Sequence, residues 1–196
     1  MVKIFFYFIL ALIVIISIYL SVFELLLHSF HSPLGSELKE PIFQEATWTY
    51  LLHQKYITLI DLDHYTLHER RHLLDVKNIL ETTYRLWIYS IALSILILFT
   101  TFRTIIKYII RIGVILNILF ILLSFNFLKS FDFFHSLFFK SNSWIFSKDS
   151  ILIEYFPLIY FQEFFILFLL LTFILFSLLS VNWYLQTKNS PLFTVT

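Results

Sequence analysis

The sequence contains no cysteine, only two glycines and few charged residues. The missing cysteine excludes disulfides, thiolate metal sites, iron–sulfur clusters and a cysteine nucleophile. Charged residues make up 14% of the chain, whereas a soluble domain has about 25%. Apolar residues make up 59%, with 25 phenylalanines among the 196 residues. These charges are too few to cover a soluble globule of this length, so lipid must solvate much of the surface.

Several functional classes also lack their usual signals. The formal net charge is only +1, and no basic stripe of the kind that neutralises phosphates is present, so we expect no nucleic-acid partner. No serine lies in a G-x-S-x-G elbow. No histidine falls in the middle of a long apolar run, where a haem ligand is expected. We therefore predict a protein with no cofactor and no metal.

Four apolar stretches are long enough to cross a hydrocarbon core, which takes roughly 20 residues. They run over about residues 4–27, 84–102, 105–128 and 159–181. The first exceeds the roughly 7–15 apolar residues of a cleaved signal peptide, so we predict that it stays as an anchor. The sequence predicts an all-α membrane protein with four transmembrane helices, and a single integral membrane domain over residues 1–196.

The distribution of cations predicts the orientation of these spans. The turn between the second and third spans holds Arg103, Lys107 and Arg111, and Lys3 and Lys188 flank the two ends of the chain. By the positive-inside rule, this turn and both termini are cytoplasmic. The two longer segments, residues 28–83 and 129–158, then lie outside the cytoplasmic membrane. We predict short amphipathic helices and the active groups of the protein there.

The first outer segment holds six of the seven histidines. A helix is predicted from Pro41 to about His53. Thr66 and Glu69 have the spacing of a capping box, which predicts a second helix from Leu67 to Leu80. In that helix His68, His72 and Asp75 share one face, because residues three and four apart are neighbours. In the second outer segment, Asp149 is predicted to cap a short helix towards Tyr155.

The residues His68 to His72 form an H-E-x-x-H motif, which on a helix presents two imidazoles to zinc and a glutamate as general base. The cap engages Glu69, however, and no third ligand follows at a recognised spacing. His135 lies among aromatic residues of the second segment. It is either an interfacial histidine bonded to a backbone carbonyl or a group for acyl chemistry on a lipid headgroup. A membrane zinc metallopeptidase and a non-catalytic membrane scaffold remain alternatives.

Two segments resemble a family of bacterial integral membrane proteins. Residues 69–77, with the sequence ERRHLLDVK, resemble the E-x-x-H-L-x-D-V-K signature that follows the first span of that family. Residues 134–139, with the sequence FHSLFF, and then WIF at 144–146, Asp149 and FP at 156–157 resemble a second series that precedes the last span. Both segments fall in the same order and on the same predicted side of the membrane. The family is that of the lipoprotein intramolecular transacylases.

The resemblance implies an acyltransferase that acts on diacylated lipoproteins at the outer face of the cell membrane. The family moves the sn-2 acyl chain of an S-diacylglyceryl cysteine onto the α-amino group of that cysteine, which gives a lyso-form lipoprotein. Membrane lipid is the other expected partner. The resemblance implies His72 and His135 as the catalytic residues. Four further residues are expected to support them or to position the substrate: Glu69, Asp75, Trp144 and Asp149.

Overall fold

The computed structural model describes residues 2–35, 41–52, 62–140 and 143–188 of the chain. All of its regular elements are helices, and these residues contain no strand, so the all-α prediction is confirmed. The helices are α1 (Val2–Ser29), α2 (Pro41–Leu52), α3 (Leu67–Ser124), α4 (Phe127–Phe138), α5 (Ile151–Tyr155) and α6 (Leu158–Lys188). His53, the predicted end of the helix that starts at Pro41, lies outside the described residues.

Three segments of the described residues are long and apolar enough to cross a membrane, namely Lys3–Ser29, Leu67–Ser124 and Ile151–Lys188. The second of them is 58 residues long, which corresponds to about 87 Å in a straight α-helix. This is far more than the roughly 30 Å of a hydrocarbon core. A single straight crossing therefore cannot accommodate the whole of α3.

Helix α3 reverses direction. The indole N–H of Trp87 donates to Ser21 Oγ at 3.0 Å, and the hydroxyl of Tyr19 donates to the carbonyl of Gly113 at 3.4 Å. In a straight helix Trp87 and Gly113 lie about 39 Å apart, yet their partners are only two residues apart in α1. The chain must turn back about midway, near Thr100. The hydroxyls of Thr100 and Thr101 donate to carbonyls one turn earlier, which bends helices.

The observed boundaries of α3 differ from the predicted ones. The sequence predicted separate spans over residues 84–102 and 105–128, but the structure assigns one continuous helix that ends at Ser124. Asn126 leaves the helical conformation, with φ of −128° and ψ of 60°. The carbonyl of Leu123, in the last turn of α3, accepts hydrogen bonds from Asn126 N and from the Ser130 hydroxyl. These local bonds satisfy the end of the helix, and apolar composition alone does not reveal them.

The described residues divide into two compact units. The first lies within Met1–Phe23, Trp87–Leu122 and Leu167–Thr196. Its core combines apolar side chains of α1, α3 and α6: Ala11, Val14, Ile15, Ile97, Ile105, Ile109 and Phe176. A buried polar pair crosses it, because Thr172 Oγ1 donates to Asn117 Oδ1 at 2.8 Å. Such hydrogen bonds join helices in lipid, where a lone polar group has no water to bond.

Gly113 allows α3 and α6 to pack closely, because a Cβ at this position would overlap the ring of Phe176. We expect Gly113→Ala to lower the stability of the protein by about 1–3 kcal/mol, the usual cost of overpacking. Thermal unfolding in detergent measures this as a lower Tm. The double variant Gly113→Ala with Phe176→Leu should lose less than the sum of the two single variants. An unchanged Tm for Gly113→Ala would show that α3 and α6 can accommodate the added Cβ without a loss of stability.

The second unit lies within Glu24–Leu86 and Leu123–Ile166. Hydrogen bonds to backbone carbonyls connect its helices. Trp48 Nε1 and Gln44 Nε2 both donate to the carbonyl of His31, just after α1, and Gln44 Nε2 also lies 3.2 Å from the carbonyl of Tyr155. The hydroxyl of Tyr160 donates to the carbonyl of Phe30 at 3.0 Å. The ends of α1 and α5 and the start of α6 are thus fixed around α2.

Candidate active site

The first turn of α3 has the capping box that the sequence predicted. Glu69 N donates to the side chain of Thr66 at 3.3 Å, and Thr66 N donates back to Glu69 Oε2 at 2.8 Å. This reciprocal cap satisfies two backbone donors that a helix start leaves free. It fixes where α3 begins, and therefore the direction in which His72 projects one turn later. This part of α3 precedes the apolar run at residues 84–102.

The carboxylate of Glu69 also joins two helix starts. Its other oxygen, Oε1, accepts from the hydroxyl of Ser150 at 2.5 Å and from Leu152 N at 3.1 Å, at the beginning of α5. The side chain is only 2% exposed. Burial by itself would raise the pKa of Glu69, but the hydrogen bonds from Ser150, Leu152 and Thr66 outweigh it and lower the pKa. Glu69 is thus a buried carboxylate whose two oxygens are both engaged.

We expect Glu69→Gln to destabilise the protein. A glutamine NH₂ cannot accept hydrogen bonds, so donors that now meet a carboxylate oxygen would face another donor in a buried place. The loss is about 2–3 kcal/mol, as for a hydrogen bond to a charged group, and thermal unfolding at neutral pH measures it. Because the folded-state pKa is lowered, this stabilisation is complete above the ordinary pKa of a glutamate. It disappears as the pH falls through the folded-state value.

Glu81→Gln is a matched control on the same helix. Glu81 forms an ion pair with Arg85 at 3.4 Å, and the arginine side chain is largely exposed. Exposed pairs of this kind contribute about 0–1 kcal/mol, so the control variant should keep a nearly unchanged Tm. If Glu69→Gln and Glu81→Gln lower the Tm equally, Glu69 does not join the helices as described.

His135 lies on α4 with a defined hydrogen bond. Its Nδ1 is 2.8 Å from the carbonyl oxygen of Phe131, one turn earlier. A carbonyl only accepts, so Nδ1 carries the proton, and in the neutral ring Nε2 keeps its lone pair. The ring is 9% exposed and lies 5.0 Å from the ring of Trp144. The structure therefore gives His135 one tautomer with a basic nitrogen.

His72 and His135 come together although one lies near the start of α3 and the other on α4. Their ring centroids are 6.4 Å apart and the ring planes are inclined by 24°. His72 is 8% exposed, and its Nδ1 is buried with no hydrogen-bond partner among the described residues. Two nearly parallel imidazoles thus lie close together and shielded from water.

Aromatic rings surround both imidazoles. The ring of Phe139 lies 4.6 Å from His72 and 5.3 Å from His135. The ring of Phe146 lies 5.3 Å from His72, and the ring of Phe131 lies 4.0 Å from His135. An apolar lining of this kind removes water that would otherwise solvate an imidazolium ion.

This environment favours the neutral form of both histidines. Burial, together with the nearby imidazoles of His135 and His68, lowers the pKa of His72 to about 4. Burial also lowers the pKa of His135, although its bond to the carbonyl of Phe131 and the carboxylate of Asp132 act in the opposite direction. At neutral pH both rings are therefore uncharged and able to exchange protons with a bound reactant.

The sequence model of the family described as lipoprotein intramolecular transacylase Lit matches residues 1–161 of the 196. The chain belongs to the Lit family. Membership makes it an integral membrane acyltransferase that acts on lipoproteins. No curated protein matches the chain.

The fold is similar to solved structures of the membrane integral lipoprotein intramolecular transacylase Lit from Bacillus cereus. One has 22% identity and a TM-score of 0.65, covering 94% of this chain and 92% of that chain. A second, with a histidine changed to arginine, has 21% identity and a TM-score of 0.69, covering 95% and 94%. A third, with a histidine changed to alanine, has 20% identity and a TM-score of 0.68, covering 95% and 96%. At these identities the likeness shows a shared fold.

The residues that carried the resemblance to the Lit family divide into two groups. His72, His135 and Trp144 come together through their rings. Asp75 is half-buried one turn beyond His72 and makes no hydrogen bond to it among the described residues. Asp149 is exposed, and the predicted cap is wrong by one residue, because Ser150 is the N-cap of α5. The serine hydroxyl bonds to Glu69 rather than to its own helix.

The H-E-x-x-H motif has the wrong geometry for a zincin in this member of the Lit family. Both oxygens of Glu69, its potential general base, accept hydrogen bonds from the caps of α3 and α5. His68 is exposed, and its ring lies 4.8 Å from that of Phe146. The described residues contain no cluster of three His, Cys, Asp or Glu side chains that is able to hold a metal ion.

Two rings of the site, Phe139 and Phe146, were not predicted to act, although both belong to the second motif series.

Proposed function

We propose that this chain moves the sn-2 acyl chain of an S-diacylglyceryl cysteine onto the α-amino group of the same cysteine. The observation that supports this proposal is the pair of buried, neutral imidazoles of His72 and His135, 6.4 Å apart between ring centroids. Each ring can reach a reacting atom over a hydrogen bond of about 2.6–3.2 Å. Rings this close can both act on one carbonyl carbon and its substituents.

The reaction is an exchange of an ester for an amide. The α-nitrogen attacks the sn-2 carbonyl carbon, a C–N bond forms, and the C–O bond to glycerol breaks. The nitrogen gives its proton to a base, and the departing glycerol oxygen gains a proton to become a hydroxyl. The product is an N-acyl, S-monoacylglyceryl lipoprotein. Because an α-amino group has a pKa of about 8, most of it is protonated at neutral pH. That proton is lost to the solvent before the attack, and the base takes the second proton, which the nitrogen releases as the C–N bond forms.

His135 is the general base in this proposal. Its Nδ1–H donates a hydrogen bond to the carbonyl of Phe131, so Nε2 is the nitrogen that carries the lone pair. The bond also fixes the ring plane, so the lone pair has one direction. The lowered pKa of His135 keeps Nε2 unprotonated at neutral pH, ready to accept the proton of the amine.

His72 is the hydrogen-bond donor in this proposal. Its Nδ1 is buried without a partner in the described part of the chain. A buried N–H without an acceptor is rarer in proteins than an acceptor without a donor, so we assign the lone pair to Nδ1 and the proton to Nε2. That N–H can stabilise the oxyanion that develops on the attacked carbonyl. The imidazolium that His135 forms on taking the proton of the amine then returns a proton to the departing glycerol oxygen.

The amine and the ester belong to one molecule, which reduces what the protein must do. Well-oriented intramolecular groups react with effective molarities of about 10⁵ M or more. Folding the lipid headgroup so that the nitrogen approaches the carbonyl therefore supplies much of the rate. No acyl-enzyme intermediate is required, which agrees with a chain that contains no cysteine.

The same proposal includes the membrane topology. Four spans near residues 4–27, 84–102, 105–124 and 159–181 form one integral membrane domain, and the reversal of α3 near Thr100 supports the division of that helix into two spans. Arg103, Lys107 and Arg111 are all exposed and hold this turn in the cytoplasm together with both termini. The two histidines then lie at the outer face of the cell membrane. There, diacylated lipoproteins diffuse in from the surrounding lipid.

Mass spectrometry of lipopeptides tests the function. The chain is expressed in a bacterial host whose lipoproteins are diacylated, and the acyl chains on the N-terminal cysteine are located by fragmentation. We expect the α-amino group to become acylated and the glyceryl group to lose one chain. Lipoproteins that keep both ester-linked chains and a free amine, in the presence of membrane-inserted protein, would overturn the proposal.

A further inference from the structure

Phe139 occupies a special place among the rings of the site. Among the described residues, it is the aromatic side chain whose ring contacts both His72 and His135. It lies against the His135 ring with an interplanar angle of 23°. The side chain is 8% exposed. One ring therefore packs against both imidazoles of the proposed catalytic pair.

The backbone holds Phe139 firmly in this position. It is the C-cap of α4, in an extended conformation with φ of −116° and ψ of 138°. Its N–H donates to the carbonyl of His135 at 2.8 Å. The same five-residue stretch, His135 to Phe139, thus carries one imidazole and the ring that packs against it. By contrast, the neighbouring ring of Phe138 is 53% exposed and contacts Phe134 rather than either histidine.

We propose that Phe139 is a positioning residue, whose ring fixes the spacing of the two imidazoles and keeps water from entering beside them. This inference rests on the proposed function, because the imidazoles matter only if they exchange protons with the substrate. An imidazole that acts as base or donor must be uncharged at the working pH. A ring packed against both of them excludes the water molecules that would stabilise either imidazolium.

The titratable groups around His72 and His135 determine how removal of the Phe139 ring changes the pKa values of these two histidines. His72 is faced by His135 and His68, and His135 is faced by Asp132. Without Phe139, water enters, solvates the charged forms and screens the repulsion between the imidazoles. The pKa values of the two histidines should then rise towards the ordinary value of about 6.5.

The test compares rates of transacylation of a synthetic diacylated lipopeptide by Phe139→Ala and by the unchanged protein, between pH 8 and pH 5.5. The ionisation of the substrate amine is common to both proteins, so it cancels in the ratio of their rates. At pH 5.5 a histidine with a pKa of about 6.5 is only about one-tenth neutral. Because both histidines must be neutral, we expect the ratio to fall by at least about tenfold from pH 8 to pH 5.5.

Three further variants make the result specific. Phe138→Ala, the control on the adjacent exposed ring, should give a ratio near one at every pH. Phe139→Leu keeps an apolar side chain against the imidazoles. Its rate, relative to that of the unchanged protein, should be below one and should not change with pH. Phe139→Gln is polar and of similar length, and should repeat the fall if the alanine variant does not accumulate.

A ratio that is independent of pH in both Phe139→Ala and Phe139→Gln would overturn the inference, because the ring would then have only a structural role. This outcome differs from failure of the proposed function. If that function is wrong, the unchanged protein itself forms no N-acyl product from the lipopeptide.

Discussion

His135→Ala should lower the rate of acyl transfer by about a thousandfold, within the 10²- to 10⁴-fold range of general acid–base catalysis. The variant removes the Nε2 lone pair that takes the proton of the amine. The carbonyl of Phe131 lies within α4, where the backbone N–H of residue 135 still donates to it, so the fold of α4 has no strong reason to change. The rate is measured on a synthetic diacylated lipopeptide with purified protein in liposomes.

Two comparisons separate a lost base from a damaged fold. His135→Gln should be as inactive as the alanine variant, because an amide is not a base near neutral pH. His68→Ala, which removes an exposed histidine of the same unit, should stay within about threefold of the unchanged rate, as expected for a group outside the proposed chemistry. If His68→Ala is as inactive as His135→Ala, His68 and the H-E-x-x-H motif take part in the reaction, which contradicts the proposed roles. If His135→Ala is active, His135 has no part in the mechanism.

His72→Ala should lower the rate by about 10²- to 10³-fold, the usual effect of removing one donor to an oxyanion. The glutamine variants at residues 72 and 135 should differ in activity. The NH₂ group of glutamine donates hydrogen bonds, so His72→Gln should recover about tenfold of the rate that His72→Ala loses, a partial return of donor stabilisation. Membrane levels of each variant are compared by immunoblot.

The pattern of the two glutamine variants assigns the roles. Partial activity at residue 72 and none at residue 135 supports His72 as donor and His135 as base. The reverse pattern would exchange the roles, and equal inactivity of both glutamine variants would show that each histidine must transfer a proton.

Much of the fold could be predicted from the sequence. The capping box of Thr66 and Glu69 is a local signal, in which two side chains and two backbone groups satisfy one another within four residues. It was confirmed atom by atom. The helix from Pro41 was also predicted, because apolar periodicity depends only on the nearby sequence.

Features that depend on distant contacts could not be predicted. The sequence identified His72 and His135 through the resemblance to the Lit family, but the 6.4 Å between their rings depends on how α3 and α4 pack. The predicted cap at Asp149 was wrong because the actual N-cap, Ser150, bonds to Glu69 across the unit. Likewise, Phe139 is one of 25 phenylalanines, and only its contacts distinguish it.

A crossover experiment tests the central claim, that the acyl chain moves within one lipoprotein molecule. A lipopeptide labelled with heavy isotopes in both the sn-2 chain and the peptide is mixed with an unlabelled one and incubated with the protein in liposomes. We predict that mass spectrometry finds only fully heavy and fully light N-acyl products. Products that combine a heavy acyl chain with a light peptide would contradict an intramolecular transfer.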